Sequence, residues 1–221
     1  MKILVILLSL AFIGIIIYFN QNKRNTESIQ DNRIEITEDV EWSELEKIIS
    51  GFDTDLISGK QNIIDFINSN YSNFNSGFLS QIDLNSIKTE LNDYLINVVS
   101  KKPIEDEIKS LNFGLFESDF DNILCYVSGS NLNPKEDPDW ASTQEYFPKL
   151  YLELSEFKII RKELKKYKGN ISDIEQLIIN GFMNLVIANS IVEIDNATNN
   201  KKLNLGSGYD SGDIFIIREH K

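Results

Sequence analysis

Histidine and cysteine are almost absent from this chain. Its 221 residues include one histidine, His220, and one cysteine, Cys125. Catalytic triads and dyads that use a histidine base are therefore excluded, and so are zinc sites built from several histidines or cysteines. A single cysteine also excludes an intramolecular disulfide. Cys125 lies in the apolar stretch 123–127, which predicts a buried structural thiol. The sequence predicts no cofactor, no metal site and no catalytic residue.

Basic residues are scarce as well. The chain has 22 lysines and arginines against 34 aspartates and glutamates, a formal net charge of −12. This charge argues against nucleic acid as a partner, because clustered basic residues supply most of the affinity for phosphates. It also disfavours a domain that lies flat on anionic lipid. A basic protein partner or a cation would suit it, although an acidic surface also serves solubility alone.

Long hydrophobic runs are limited to one clear example, residues 3–19, which contain no charge and no proline. A membrane-spanning helix needs about 17–25 apolar residues. The run ends in bulky side chains, whereas signal peptidase sites have small ones, and Tyr18 and Phe19 suit a membrane interface. We therefore predict an uncleaved, single-pass signal anchor over residues 1–20 and an extracytoplasmic domain. The alternative is a cleaved signal and a secreted protein, since the flanking charges do not fix the orientation.

The remainder of the chain predicts a polar linker over 21–37 and one acidic α+β domain over 38–221. Apolar residues at helical spacing predict a mostly helical domain. The predicted helices are 39–50, 60–70, 83–100, 104–110, 150–167 and 172–190. Residues 111–116 with 122–127, and 201–205 with 214–217, are typical of two β-hairpins. The sheet is therefore expected to be small and largely antiparallel.

A glycine-rich stretch at 206–213 separates the last two predicted strands. Such a stretch can cradle phosphate when it leads from a strand into a helix, with a lysine nearby. Here its neighbours are Asp210 and Asp213, and a strand follows. The pattern therefore predicts a hairpin turn that uses the conformational freedom of glycine.

Candidate binding residues come from two acidic segments. The long loop 128–148 holds Asp137, Asp139, Trp140 and Tyr146, in which aromatic rings stand beside carboxylates. Large rings supply contact area and acids set a charge preference, so this loop is a candidate recognition surface. The alternative is that its aromatic residues fold back as a lid over the core. Asp210 and Asp213 complete the set of candidates.

Taken together, these patterns favour a membrane-tethered, non-enzymatic domain that binds a protein partner. Two alternatives stay open. One is an extracytoplasmic carboxylate-dependent hydrolase, which requires two acids to meet in one cleft. The other is a cation-binding module, because acid-rich turns suit oxygen-coordinated ions. The hydrolase would draw its pair from Asp119, Asp121, Asp137, Asp139, Asp210 and Asp213.

Overall fold

A mixed five-stranded sheet with helices packed against one face forms the body of the domain. The computed structural model describes residues 31–118, 122–210 and 212–220, so the predicted anchor at 1–20 lies outside the described residues. The described helices are Trp42–Ile49 (α1), Leu56–Asn70 (α2), Leu84–Lys101 (α3), Ser155–Leu164 (α4), Ile171–Ala188 (α5) and Ile191–Ala197 (α6). The described strands are Ile34–Ile36 (β1), Ser110–Glu117 (β2), Ile123–Ser130 (β3), Tyr151–Glu153 (β4), Tyr167–Gly169 (β5), Asn204–Tyr209 (β6) and Ile214–Arg218 (β7).

The sheet order is β4-β3-β2-β6-β7, and a separate small sheet pairs β1 with β5 in parallel. Strands β2 and β3 form one antiparallel hairpin, and β6 and β7 form the other. The two hairpins meet through a parallel pairing of β2 with β6, while β4 adds antiparallel to β3. The α+β class is therefore confirmed, and the sheet is mixed because of the β2–β6 ladder.

Helix α3 follows directly from its sequence. The Asp83 carboxylate accepts a hydrogen bond of 2.9 Å from the backbone N–H of Asn85, which satisfies a free donor of the first turn. Side chains at helical spacing form its buried stripe: Leu84, Ile87, Leu91, Tyr94, Leu95 and Val98. The predicted helix at 83–100 is thus confirmed within one residue at each end.

Helix α5 is the central helix of the core. Its residues from Leu177 to Ile187 are all buried. By length and composition it could cross a membrane, but 67% of that stretch is buried inside the fold, as in the core helix of a globular domain. The helix predicted at 172–190 is confirmed within two residues at each end, and Glu175 in its first turn pairs with Arg161.

Two predicted helices are corrected by the structure. Residues 104–110 form a turn that leads into β2, and Ile104 and Ile108 are buried without a helix. Residues 150–167 divide into β4, α4 and the start of β5. The reason is tertiary pairing: Tyr151–Glu153 lies along β3, and hydrogen bonds to that strand outweigh the local helical preference.

Candidate binding cleft

On the face of the sheet opposite the helices, glycines of the central strands leave space for aromatic rings. A Cβ atom at Gly114 would lie 2.1 Å from Cζ of Tyr126, and one at Gly206 would lie 2.8 Å from Cζ2 of Trp140. These two aromatic rings therefore rest directly on strands β2 and β6. Gly206 and Gly208 lie within β6, so the predicted turn at 206–213 is wrong for its first part and the turn begins only after Tyr209.

A cleft of about 800 Å³ opens on this face and is called the acidic cleft below. The loop 134–144 forms one wall, and the β6–β7 turn forms the other. Its lining includes the acids Glu46, Asp139, Asp210, Asp213 and Glu219, and none of the described residues that line it is basic. Trp140, Ile214 and Ile216 supply apolar wall. The cleft therefore offers carboxylates beside an apolar surface.

Two of these carboxylates have partners within the domain. Asp210 accepts a hydrogen bond from the hydroxyl of Tyr126, whose ring crosses Gly114 to reach it. Burial, followed by this bond to Asp210, raises the pKa of Tyr126, so its hydroxyl stays a donor at neutral pH. Glu219 pairs with Lys135 at 2.7 Å. Tyr126 thus orients Asp210, and Lys135 offsets the charge of Glu219.

An unpaired polar side chain lies at the floor of the acidic cleft. Asn112 is 2% exposed, and its Oδ1 atom has no hydrogen-bond partner among the described residues. It stands opposite Ser128 in the β2–β3 ladder, and the buried Oγ of Ser128 also lacks a described partner. An unpaired buried acceptor is unfavourable by about 1–3 kcal/mol, and it is satisfied by any donor, water included, that reaches it. Asn180 and Asn184 of helix α5 also have a buried Oδ1 atom without a described partner, so Asn112 is distinguished by its place in the cleft lining.

The structure brings four of the six candidate residues together. Asp139, Trp140, Asp210 and Asp213 all line the acidic cleft. Asp137 and Tyr146 have structural contacts instead. Asp137 accepts a 2.8 Å bond from the backbone N–H of Asp139 and so shapes the loop. The hydroxyl of Tyr146 donates a 2.6 Å bond to the carbonyl of Lys102.

The aromatic residues of the loop do not form an exposed surface. Trp140 is 2% exposed and Tyr146 is fully buried, so both rings fold back onto the domain, as in the alternative interpretation of the loop. Trp140 covers the face of the sheet that the helices leave open, whereas Tyr146 pairs with Gly129 beside β3 and packs into the core that the helices share. Asp139, next to Trp140 in the chain, is exposed, so an acidic side chain is accessible beside the buried ring.

Several lining residues were not identified from the sequence, among them Glu46, Asn112, Tyr126 and Glu219. Residues 110–114 read Ser-Leu-Asn-Phe-Gly, which alternates small or polar residues with apolar ones. This alternation indicates a strand with one polar face, and it was the available signal for Asn112. Glu46 lies on α1, far away in sequence, and nothing local connects it with the sheet.

The acids required by the hydrolase alternative lie partly in this cleft. Asp139, Asp210 and Asp213 line it, Asp137 does not, and Asp119 and Asp121 lie outside the described residues. Within the described ranges, no group of three histidine, cysteine or acidic side chains is placed to hold a metal ion. A scan against protein-family models and searches of curated proteins and of solved structures found no match to this chain.

Proposed function

We propose that this chain is a membrane-tethered, non-enzymatic binding domain whose acidic cleft takes a basic segment of a protein partner. One observation carries the proposal: the charged side chains described in the cleft are all acidic, and they share its lining with Asn112, whose buried Oδ1 atom has no described partner. Charges of one sign within a concave surface focus the electric field and raise the local concentration of oppositely charged groups.

The shape of the cleft favours lysine or arginine over a simple ion. Both side chains carry a long aliphatic stem that packs on apolar surface while the charged head stays in a polar environment. Trp140, Ile214 and Ile216 supply such a surface next to Asp213 and Asp210. The unpaired Oδ1 of Asn112 accepts a hydrogen bond, which again suits an N–H donor. Asp139, Asp210 and Asp213 then act as charges rather than as reactive groups.

The hydrolase alternative has weaker support. General acid catalysis by a carboxyl group needs a raised pKa, so that the proton is still bound near neutral pH. Burial raises the pKa of Glu175, although its bond to Arg161 opposes the shift. Glu175 lies against Arg161 and is not part of the cleft lining. Glu175, a carboxyl group whose pKa is raised by burial, therefore does not lie with the candidate acids.

The N-terminal anchor determines where in the cell the domain binds its partner. The hydrophobic run at 3–19 anchors the chain, and the polar linker holds the acidic domain close to the outer membrane surface. Protease added to intact cells is then expected to remove the domain. If the domain survives in intact cells and is digested only after the cells are opened, it lies in the cytoplasm. Recovery of the domain from the medium would instead indicate a cleaved signal.

Binding is tested with a peptide of about nine residues in which arginine alternates with threonine. The full chain in detergent micelles is titrated with this peptide. We expect the double substitution Asp210→Asn, Asp213→Asn to weaken binding about tenfold, because two cleft charges are lost. Asparagine keeps an acceptor for the Tyr126 hydroxyl, so the fold of the cleft is preserved.

The matched control removes two exposed acids elsewhere, through Asp53→Asn and Asp93→Asn. Net charge changes equally, but the affinity is expected to change by less than about twofold, since salt screens distant surface charges. A peptide with citrulline in place of arginine should not bind. Equal losses in the two double variants would show that bulk charge, not the acidic cleft, attracts the peptide.

A further inference from the structure

We infer that the basic segment binds as an added β-strand along the open edge of β7. This inference rests on the proposed function, namely that the acidic cleft takes a basic segment. It adds the mode of recognition, in which the main chain of the partner pairs with the main chain of β7 and its alternate side chains enter the cleft. Extended segments that add to a sheet edge gain affinity from backbone hydrogen bonds and specificity from side-chain pockets.

Strand β7 ends the sheet, with β6 as its neighbour on one side. Within the described ranges, the ladder partners of Ile214–Arg218 all belong to β6. The backbone groups on the other side of β7 are those that an incoming strand would meet. An exposed edge of this kind is a template for pairing unless it is covered or blocked.

The acidic cleft reaches around this edge. Ile214, Phe215 and Ile216 all line it, although successive side chains of a strand point to opposite faces of the sheet. Phe215 belongs to the core on the helix face. Glu46, on helix α1, lines the same cleft. The cleft lining thus joins the β6–β7 turn, through Asp213, with the helix layer, through Glu46, and the edge of β7 lies between them, which is the position that an added strand occupies.

The acidic residues near β7 determine which kind of strand can pair with its edge. An added strand would present its side chains alternately toward Glu46 on one side and toward Asp213 on the other. Arginines in the phase that faces the β6–β7 turn meet Asp210 and Asp213, whereas those in the other phase meet Glu46 alone, so the first phase is preferred. A second copy of this chain would bring a formal charge of −12 to the same edge and would be repelled. The occupant is therefore an extended basic segment of another protein.

The opposite edge of the sheet differs in charge. Strand β4 is only three residues long, and exposed Lys149 and Lys158 flank it. Lys158 already pairs with Glu153 of β4 at 3.2 Å. A basic segment is therefore directed to β7. Asn112 supplies independent support for a ligand in the cleft, since it lines the same cavity with a buried, unpaired acceptor.

The test uses N-methylated forms of the arginine–threonine peptide with the full chain in micelles. In a strand that pairs along one edge, alternate N–H groups point to the partner strand and the others point away. Methylation of backbone amide nitrogens at arginines only, or at an equal number of threonines only, therefore gives two isomers of equal composition. We expect one isomer to bind at least about tenfold more weakly than the parent peptide, through loss of two or three hydrogen bonds, and the other to bind within about threefold of it.

Hydrogen exchange locates the contact. The parent peptide is expected to slow amide exchange in the segment that contains Ile214–Arg218 and to leave Tyr151–Glu153 unchanged. The added-strand mode would be overturned if the two isomers bound with equal affinity, or if the peptide protected β4 instead of β7. Neither result would contradict binding of basic peptides to the cleft. A dimer that forms without peptide and protects β7 would also overturn it. Failure of the unmethylated peptide to bind would overturn the proposed function, and this inference with it.

Discussion

Replacement of Trp140 by alanine is expected to lower the free energy of unfolding by about 3–5 kcal/mol. The side chain is 2% exposed, and its ring lies on Gly206, where a Cβ would approach Cζ2 to 2.8 Å. Gly206, on which the ring lies, contributes no side chain that could fill the space. The change therefore removes a large buried surface and leaves a cavity at the floor of the cleft. Chemical denaturation of the full chain in micelles, followed by circular dichroism, measures the loss.

Trp42 provides the matched control, because it is the second tryptophan and is 37% exposed. Its replacement by alanine is expected to lower the free energy of unfolding by about 1 kcal/mol or less. Equal effects of the two substitutions would contradict the packing of Trp140 on the sheet. A further consequence concerns binding experiments: Trp140→Ala confounds binding with stability, whereas Asp210→Asn and Asp213→Asn change charge alone.

Helices with a clear apolar stripe could be predicted from the sequence. In α3 the cap at Asp83 and the stripe from Leu84 to Val98 act within a few residues of each other, so local spacing was sufficient. The β2–β3 hairpin was predicted for the same reason, because its strands are joined by a short turn. Elements that depend on their own residues were thus recovered, with the class α+β.

Elements that depend on distant partners could not be predicted in this way. Tyr151–Glu153 carries a helical pattern but forms a strand, because β3 lies beside it. Ser110 pairs in parallel with Asn204, and no local signal connects these two positions. Gly206 and Gly208 suggested a turn by composition, yet each lies in a strand beneath other residues. In each case tertiary contact outweighed local preference.

The candidate site shows the same difference between residues with a local sequence signal and residues placed by long-range contacts. Acidic loops predicted Asp139, Asp210 and Asp213, which the fold then placed in one cleft with Trp140. Exposure of Trp140 and Tyr146 could not be decided from the sequence, because it depends on an uncovered face of the sheet for Trp140 and on pairing with the distant Gly129 for Tyr146. Glu46 and Asn112 entered the cleft through long-range packing. The charge of the site was therefore predictable, and its shape was not.

A buried charge cluster holds the end of β7 and gives the second large prediction. Asp195 of α6 is 5% exposed and accepts a 2.8 Å bond from Nη1 of Arg218, which belongs to β7. Lys202 pairs with the other carboxylate oxygen of Asp195. Substitution Asp195→Asn removes the negative charge and leaves two cations without it. We expect the free energy of unfolding at neutral pH to fall by about 3 kcal/mol.

The pH dependence of this effect has a definite sign. Burial raises the pKa of Asp195, but hydrogen bonds from Lys202 and Arg218 outweigh burial and hold the pKa below its ordinary value. Its stabilisation is therefore complete above the unfolded-state pKa of about 4 and is lost as the pH falls through the lower folded-state pKa. Denaturation of the wild type and Asp195→Asn should accordingly differ at pH 7 and converge in acid. Asp106→Asn is the control, since Asp106 is 98% exposed and bonds Lys201 at 2.9 Å. Two results would contradict a buried charge that stabilises the edge strand of the cleft. One is a difference in the free energy of unfolding between wild type and Asp195→Asn that stays constant with pH. The other is a decrease in Asp106→Asn as large as that in Asp195→Asn.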